Sequence, residues 1–476
     1  MSRTERAVCE DADNSEPRVP VRWETWSRGR WTFVSAALIC ILFSLPSLSL
    51  DIVRPIVGFD EREHIDYAIQ LSEGTVPVWG TTLSEQTLAL ESCLARADVS
   101  PSCVGDYLQS SQPSDRFSYQ AQQPLLGYLP MALTARFLIN TEMFHFQQIM
   151  LLRLANWTTF ALFALAWAFT LSFFTRSLLL TSVVSGLLIA NPWFFGAYTY
   201  VTNDSAAITY GLVLVGAYIG WLRWWSNHGS RRLWWLMVFG FIGLGSGAAL
   251  VKLTSILPFV AMAMAVLAQA AVTHRWERIR RQITPFVAGI LGLAFAHVVL
   301  SVIRDAASSV SQKTVISQLL GPSYRSLFEA AIFRLKDFST LVFGYEVLNI
   351  NYVTPAVVAL GIISCGLIVW TLASARVHFP VWMLMTPQIL IGVLLALCLA
   401  TLVLVPTALY FQGPFESSFI ARYLVPLLPL FALAIVPTLD RRVRLQWALL
   451  AAIATTLLFL TVPPSELMRN LPIGVS

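Results

Sequence analysis

The chain has 476 residues, of which 56% are hydrophobic and 12% charged, and its mean hydropathy is +0.65. An ordinary soluble protein carries about a quarter charged residues, so composition excludes that class and points to a polytopic membrane protein. The formal net charge of +5 comes from 29 Arg and 3 Lys set against 27 acids, and the Arg clusters between apolar runs make that excess a topology signal rather than a sign of nucleic-acid binding.

Residues 1–30 are polar and read as a disordered cytoplasmic tail. The apolar run that follows is of span length and lacks a small-residue cleavage site, so it is an anchor rather than a signal peptide. Eleven spans are expected, at about 31–50, 149–174, 177–196, 205–225, 233–251, 254–272, 284–303, 352–372, 381–405, 423–439 and 445–462. Basic clusters at Arg18–Arg30, Arg231–Arg232, Arg275–Arg281 and Arg441–Arg444 all fall on one side of such a bundle. The N-terminus is therefore expected in the cytoplasm and the short tail 463–476 outside. The Arg bias with abundant Ala and Leu suggests a GC-rich bacterial genome and hence a bacterial inner (cytoplasmic) membrane. The expected domain is thus one transmembrane unit over 31–462, with large extracytoplasmic loops at 51–148 and 304–351.

The first of these loops holds 12 acids against 5 Arg. Its opening segment "GFDEREHIDYAIQLSEG" crowds Asp60, Glu61, Arg62, Glu63, His64 and Asp66 together just beyond the first span. Ile65, Ala68, Ile69 and Leu71 supply an apolar stripe and Gly74 a stop, so a helix is expected here. On it Asp60 and His64 are one turn apart, and Tyr67 continues their face. Paired carboxylates raise one another's proton affinity, and a carboxylate beside a hydroxyl can take its proton; an Asp–Glu pair can equally hold a divalent cation such as Mg2+ or Mn2+. A solvated helix start, with acids favoured by the helix dipole, accounts for the same residues. Farther on, "PLLGYLPMALTARFL" (124–138) is too short to span and contains Pro130; it fits a helix lying on the outer membrane surface. Cys93 and Cys103, also in this loop, are either a disulfide or two free thiols.

Beyond the first loop, Arg153 lies near the outer end of the second span, where burial demands a partner. Asn203 and Asp204 in "YVTNDSAA" sit where the third and fourth spans meet, as ligands or as an N-cap. Lys252 stands at the next outer turn, as a phosphate ligand or a snorkelling anchor. Arg422 and Tyr423 in "SSFIARYLVPLLPL" mark the mouth of the tenth span; an Arg fork suits a phosphate, although interfacial anchoring explains both residues equally. Other motifs fall away. "DAD" at 11–13 lies in the tail, "GLGSG" at 243–247 lies inside a span and reads as close helix packing, and no phosphate loop, zinc spacing or nucleophile elbow is present.

The "FDEREH" segment after the first span, "QQPLLGYLP", the "ND" at the third and fourth spans and the late "ARYLVPLLPL" together resemble the GT-C membrane glycosyltransferases. The nearest likeness is to an uncharacterised bacterial branch with D-E-x-x-H in the first outer loop and a late G-R-Y-L-x-P-L signature. The resemblance covers nearly all of the chain after residue 30. It implies an all-α polytopic GT-C-like bundle of about eleven transmembrane helices, with amphipathic helices in the first outer loop. It also implies transfer of a sugar, usually with inversion, from a polyprenyl-phosphate donor to a glycan, lipid or protein acceptor at the outer face. Asp60 then acts as base or metal ligand with Glu61 and His64 in support. Arg422 and Lys252 neutralise the departing phosphate, and Tyr423, Asn203, Asp204 and Gln123 complete the binding site. This sequence has Gln122-Gln123-Pro124-Leu125 where relatives often read H-P-P-L, which removes one candidate metal ligand, and Ala421 replaces the Gly before Arg422. Two other classes fit less of the sequence. A lipid-linked oligosaccharide flippase needs charges at mid-bilayer depth, and a surface-glycan polymerase or ligase would place the weight on Arg325, Arg334 and Lys336 in the second large loop.

Overall fold

The computed structural model describes residues 33–35, 37–45, 61–78, 81–88, 118, 120, 123–138, 145–228, 231–273, 276–308, 424–440 and 442–461. Every regular element longer than an isolated bridge in these stretches is helical, as the sequence predicts. Spans expected at 352–372 and 381–405 lie outside the described residues, as do Asp60, Arg422, Tyr423, Cys93, Cys103, Arg325, Arg334 and Lys336.

In chain order the helices are α1 (Glu61–Ser72), a 3-10 turn (Leu126–Tyr128) leading into α2 (Leu129–Leu138), α3 (His145–Leu171), α4 (Leu178–Ile189), α5 (Pro192–Thr199), α6 (Asp204–His228) and α7 (Arg231–Val251). A second 3-10 turn (Leu253–Ile256) opens α8 (Leu257–Thr273); α9 (Trp276–Ala307) follows, then a third turn (Val425–Leu427), α10 (Leu428–Asp440) and α11 (Val443–Thr461). Four stretches, Gln147–Leu171, Asp204–Leu222, Trp234–Val251 and Gln282–Ala307, are long and apolar enough to cross a membrane. Expected spans from the second to the seventh, with the tenth and eleventh, coincide with these helices to within a few residues at most ends, save one that is broken.

The break falls in the third expected span. α4 stops at Ile189 and α5 starts at Pro192. Proline has no N–H to continue the ladder, and the Asn191 side chain accepts the Phe194 N–H at 3.1 Å as a cap for the new helix. The chain thus turns before its last two turns, and the 199–204 corner is carried onto α3.

Among the described residues α7 and α9 make the most extensive helix pair. A Cβ placed on Gly245 would overlap the Gly289 backbone, and one on Gly292 the Ile242 backbone, so Gly245 of "GLGSG" and Gly292 let two main chains touch. With 32 residues, α9 is about 48 Å long at 1.5 Å per residue, against a hydrocarbon core of about 30 Å. Its final turn carries Arg304 to the Gln123 carbonyl, which Tyr67 of α1 also reaches.

α2 is two-faced. Met131, Ala132, Ala135 and Leu138 are buried, whereas Leu129, Leu133 and Phe137, at i, i+4 and i+8, are 39%, 60% and 79% exposed. Pro130 lies in the first turn, where no N–H partner is needed, so it starts this helix rather than interrupting it. α1 departs from the simple stripe. Ile65, Ala68 and Ile69 are buried, but so are Glu61, Glu63, His64, Asp66, Tyr67 and Gln70 on the polar side. Gly74, at φ +84°, ends the helix in the left-handed region.

Candidate active site

α1 is a highly polar helix with most of its side chains out of water, so each buried polar group must find a partner. At its first residue, Glu61 Oε1 accepts from Arg153 Nε at 2.8 Å and Oε2 from Arg153 Nη2 at 2.7 Å, a bidentate pair in which both side chains are buried. Oε1 also accepts the Val201 N–H at 3.0 Å. The guanidinium carbon lies 5.7 Å from the Tyr200 ring centre. Asn156, one turn after Arg153 on α3, donates to the carbonyls of Ala197 and Tyr200 and accepts from Ser205 Oγ at 2.6 Å. Loop helix, α3 and the 199–204 corner are thereby held in one arrangement.

Further along α1, His64 Nδ1 meets the Tyr128 hydroxyl at 2.5 Å and Nε2 meets Thr202 Oγ1 at 3.4 Å. Thr202 Oγ1 donates to Asp204 Oδ2 at 3.2 Å, and Asp204 Oδ1 accepts from Lys252 Nζ at 2.5 Å. Lys252 also donates to Asn203 Oδ1 at 2.9 Å, and Asn203 Nδ2 donates to Gln123 Oε1 at 3.1 Å. The Gln123 carbonyl then accepts from Arg304 Nη2 and from the Tyr67 hydroxyl, both at 2.8 Å. Tyr67 stacks on Tyr128 with ring centres 4.2 Å apart, which closes a ring of contacts back to His64. Gly127 makes the closure possible: a Cβ there would lie 3.0 Å from the Asn203 Cβ and 3.2 Å from the Val251 carbonyl oxygen.

Among its described members this ring holds the Asp204 carboxylate against the cations Lys252 and Arg304. Lys252 is buried beside Asp204, whereas Arg304 is half-buried and its charge acts on Tyr67 and Tyr128. Two cations thus lie along the ring, Lys252 beside Asp204 and Arg304 at its more exposed side. Burial pushes the Tyr67 phenol up to about 12, with Arg304 offsetting part of the rise, so Tyr67 remains a neutral donor to Gln123.

Asp66 faces another way. It accepts from Ser84 N at 2.7 Å, Thr87 Oγ1 at 3.1 Å and Gln70 Nε2 at 2.7 Å, and so ties residues 81–88 to α1. Burial raises its carboxyl above the usual range, with the bonds from Ser84, Thr87 and Gln70 opposing.

Of the residues singled out from sequence, Glu61, His64, Gln123, Asn203, Asp204 and Lys252 are brought to one end of the bundle. Lys252 is no snorkelling anchor, since it is 2% exposed and bonded to Asn203 and Asp204. Both oxygens of Glu61, one of the expected Asp–Glu metal pair, accept from Arg153, and one of them also from the Val201 N–H. Among the described residues no group of three His, Cys, Asp or Glu side chains converges. Arg304, Tyr128 and Thr202 were not expected in the site. Arg304 sat just past an expected span end, where a basic residue reads as a headgroup contact; its position on the otherwise acidic outer side was the signal that could have marked it.

No protein-family model and no curated protein matches the sequence. Two solved structures do match. One is ArnT from Cupriavidus metallidurans bound to undecaprenyl phosphate, 14% identical, with a TM-score of 0.44 over 87% of this chain and 61% of that one. The other is the same protein in the apo state, 14% identical, with a TM-score of 0.41 over 86% of this chain and 60% of that one. This chain thus spans about three fifths of the length of the structures it matches.

Proposed function

We propose that this protein is a GT-C-type membrane glycosyltransferase that moves a sugar from a polyprenyl-phosphate donor to a glycan, lipid or protein acceptor at the outer face of a bacterial inner membrane. The observation that carries the proposal is the ring itself: a buried polar network that includes Lys252 and Arg304, built where the helix opening at Glu61 docks on the ends of apolar helices. Among the described residues the buried Asp, Glu, His, Lys and Arg side chains gather at this one end, which supports a reaction at the membrane face over a charge-lined path through it.

In this reading Arg304 receives the donor phosphate, with Lys252 adding positive potential from behind Asp204 and Arg422 and Tyr423 contributing from the mouth of the tenth span. Asp60, the residue immediately before Glu61, accepts the proton of the acceptor hydroxyl as that oxygen attacks the anomeric carbon and the phosphate leaves with the bonding pair. Glu61, locked to Arg153, positions Asp60 rather than sharing its chemistry. A divalent cation, if used, would depend on Asp60 and not on Glu61.

The test is direct. Purified protein is incubated with a panel of radiolabelled polyprenyl-phosphate sugars, with and without chelator. Asp60→Asn is expected to lower transfer by about 10²–10⁴-fold while the melting temperature stays near wild type, and Arg304→Ala to raise the donor KM more than it lowers kcat. Transfer at the normal rate by Asp60→Asn would falsify the mechanism.

A further inference from the structure

Asp66 and Tyr67 are neighbours on α1, and they reach Gln123 by two different routes. Tyr67 does so directly, its hydroxyl donating to the Gln123 carbonyl at 2.8 Å. The route from Asp66 runs through two segments of the first outer loop. Its buried carboxylate accepts from the Ser84 N–H and Thr87 Oγ1 on Oδ1 and from Gln70 Nε2 on Oδ2. The same Gln70 nitrogen donates to the Thr82 carbonyl at 3.1 Å, so α1 grips Thr82, Ser84 and Thr87 together. Just ahead of that grip, the Thr81 carbonyl accepts the Ser118 N–H at 2.9 Å. Farther on, the Gln123 N–H donates to the Gln120 carbonyl at 2.7 Å. Gln123 then meets Asn203 through its side chain, and Arg304 and Tyr67 through its carbonyl.

The chain from 118 to 123 reaches at most about 18 Å when fully extended, and the Gln120–Gln123 bond shortens that reach. Fixing Ser118 therefore restricts where Gln123 sits. The fixing is done by a carboxylate, whose hydrogen bonds are stronger than those of a neutral acceptor. Truncating it takes that acceptor from the buried Thr87 hydroxyl and Gln70 amide, and residues 81–88 must move for those groups to find another. The Thr81 carbonyl moves with them. We propose that Asp66 is a positioning residue for the phosphate side of the candidate site: by way of residues 81–88 and Ser118 it sets Gln123, and through the Gln123 carbonyl it sets Arg304. This rests on the phosphate reading of Arg304 given above, whereas the mechanical link from Asp66 to Gln123 has a readout of its own.

The link is read by amide hydrogen exchange of the full chain in detergent micelles, resolved to single residues. Asp66→Ala should speed exchange of the Ser118 and Gln123 amides by about tenfold or more, with the amides of α7 and α9 unchanged. Asp66→Asn keeps one acceptor oxygen for Ser84 and Thr87 and should restore most of the protection. The consequence for phosphate is read by calorimetric titration with a prenyl methyl phosphodiester in the same micelles. Its dissociation constant is expected to rise about 2- to 30-fold in Asp66→Ala and by less in Asp66→Asn. A role confined to stability would lower the fraction of protein that binds and leave the dissociation constant of the remainder unchanged. Should Asp66→Ala not fold, Thr87→Val, which removes one donor to Oδ1, carries the test and moves both readings the same way by a smaller factor. Unchanged exchange at Ser118 and Gln123, or faster exchange with an unchanged dissociation constant, overturns the inference and leaves the glycosyltransferase reading standing. A folded wild-type protein that does not bind the phosphodiester overturns both.

Discussion

Arg153 shows how a single buried charge dictates what surrounds it. Its guanidinium has no exposure, and the desolvation cost is offset by the two-pronged contact with Glu61. Removing either partner strands the other, so Arg153→Ala and Glu61→Ala are each expected to destabilise the protein by about 3–5 kcal/mol, with the double variant costing less than the sum. Denaturant midpoints in detergent measure this, and strictly additive losses would sever the two residues. Asp66 gives a prediction of opposite pH sense from a salt-bridged acid. Its folded-state proton affinity is raised by burial, so its contribution to stability is full below the ordinary Asp value and is lost as pH rises through the folded value. The melting temperature of wild type relative to Asp66→Asn should therefore decline between acidic and neutral pH. A relative gain over that range would contradict the assignment. Glu61 and His64 could be selected from the sequence because acids and a histidine beside an apolar run stand out. Their partners could not, since 92 positions separate Glu61 from Arg153 and 64 separate His64 from Tyr128.

At the scale of elements, periodicity located most helices and missed the bends that matter. α4 and α5 form one apolar run in sequence, yet Asn191 and Pro192 split them and set the 199–204 corner against Glu61 and Asn156. α1 has a recognisable stripe, but its polar face is buried too, because Gln123 and Tyr128 ahead of α2, Arg153 on α3 and the corner after α5 supply hydrogen-bond partners that no local pattern announces. The α7–α9 contact depends on Gly245 and Gly292, where a side chain would meet backbone instead of a yielding rotamer. Gly292→Leu is expected to force these helices apart, costing about 1–3 kcal/mol or more and carrying Arg304 away from Gln123. Thermal unfolding, together with weaker binding of a prenyl phosphodiester, would register both effects. An unchanged affinity would mean that the end of α9 is positioned independently of this contact.

For the whole molecule, the ends of α3, α6, α7 and α9 at one side of the bundle are tied together through Arg153, Asp204, Lys252 and Arg304. Alternating helix direction demands that these positions share a side, and the Arg clusters of the sequence argue that the opposite side is cytoplasmic. Single-cysteine variants in a cysteine-free background should therefore react with a membrane-impermeant maleimide in intact cells when placed at position 75 or 308, and only after lysis when placed at 229 or 274. Labelling in the reverse order would invert the orientation and move the ring to the cytoplasmic face.

Sequence alone was enough for the class of protein and the placement of most of the described helices. Those follow from one-dimensional quantities: hydrocarbon thickness sets run length, and the cost of moving Arg across a membrane sets charge asymmetry. Only the tertiary structure decided which charges neutralise one another. Pairing energy depends on distances between residues far apart in the chain, and those distances came from a proline-led corner, a bare glycine turn at 127 and a helix long enough to bring Arg304 to Gln123.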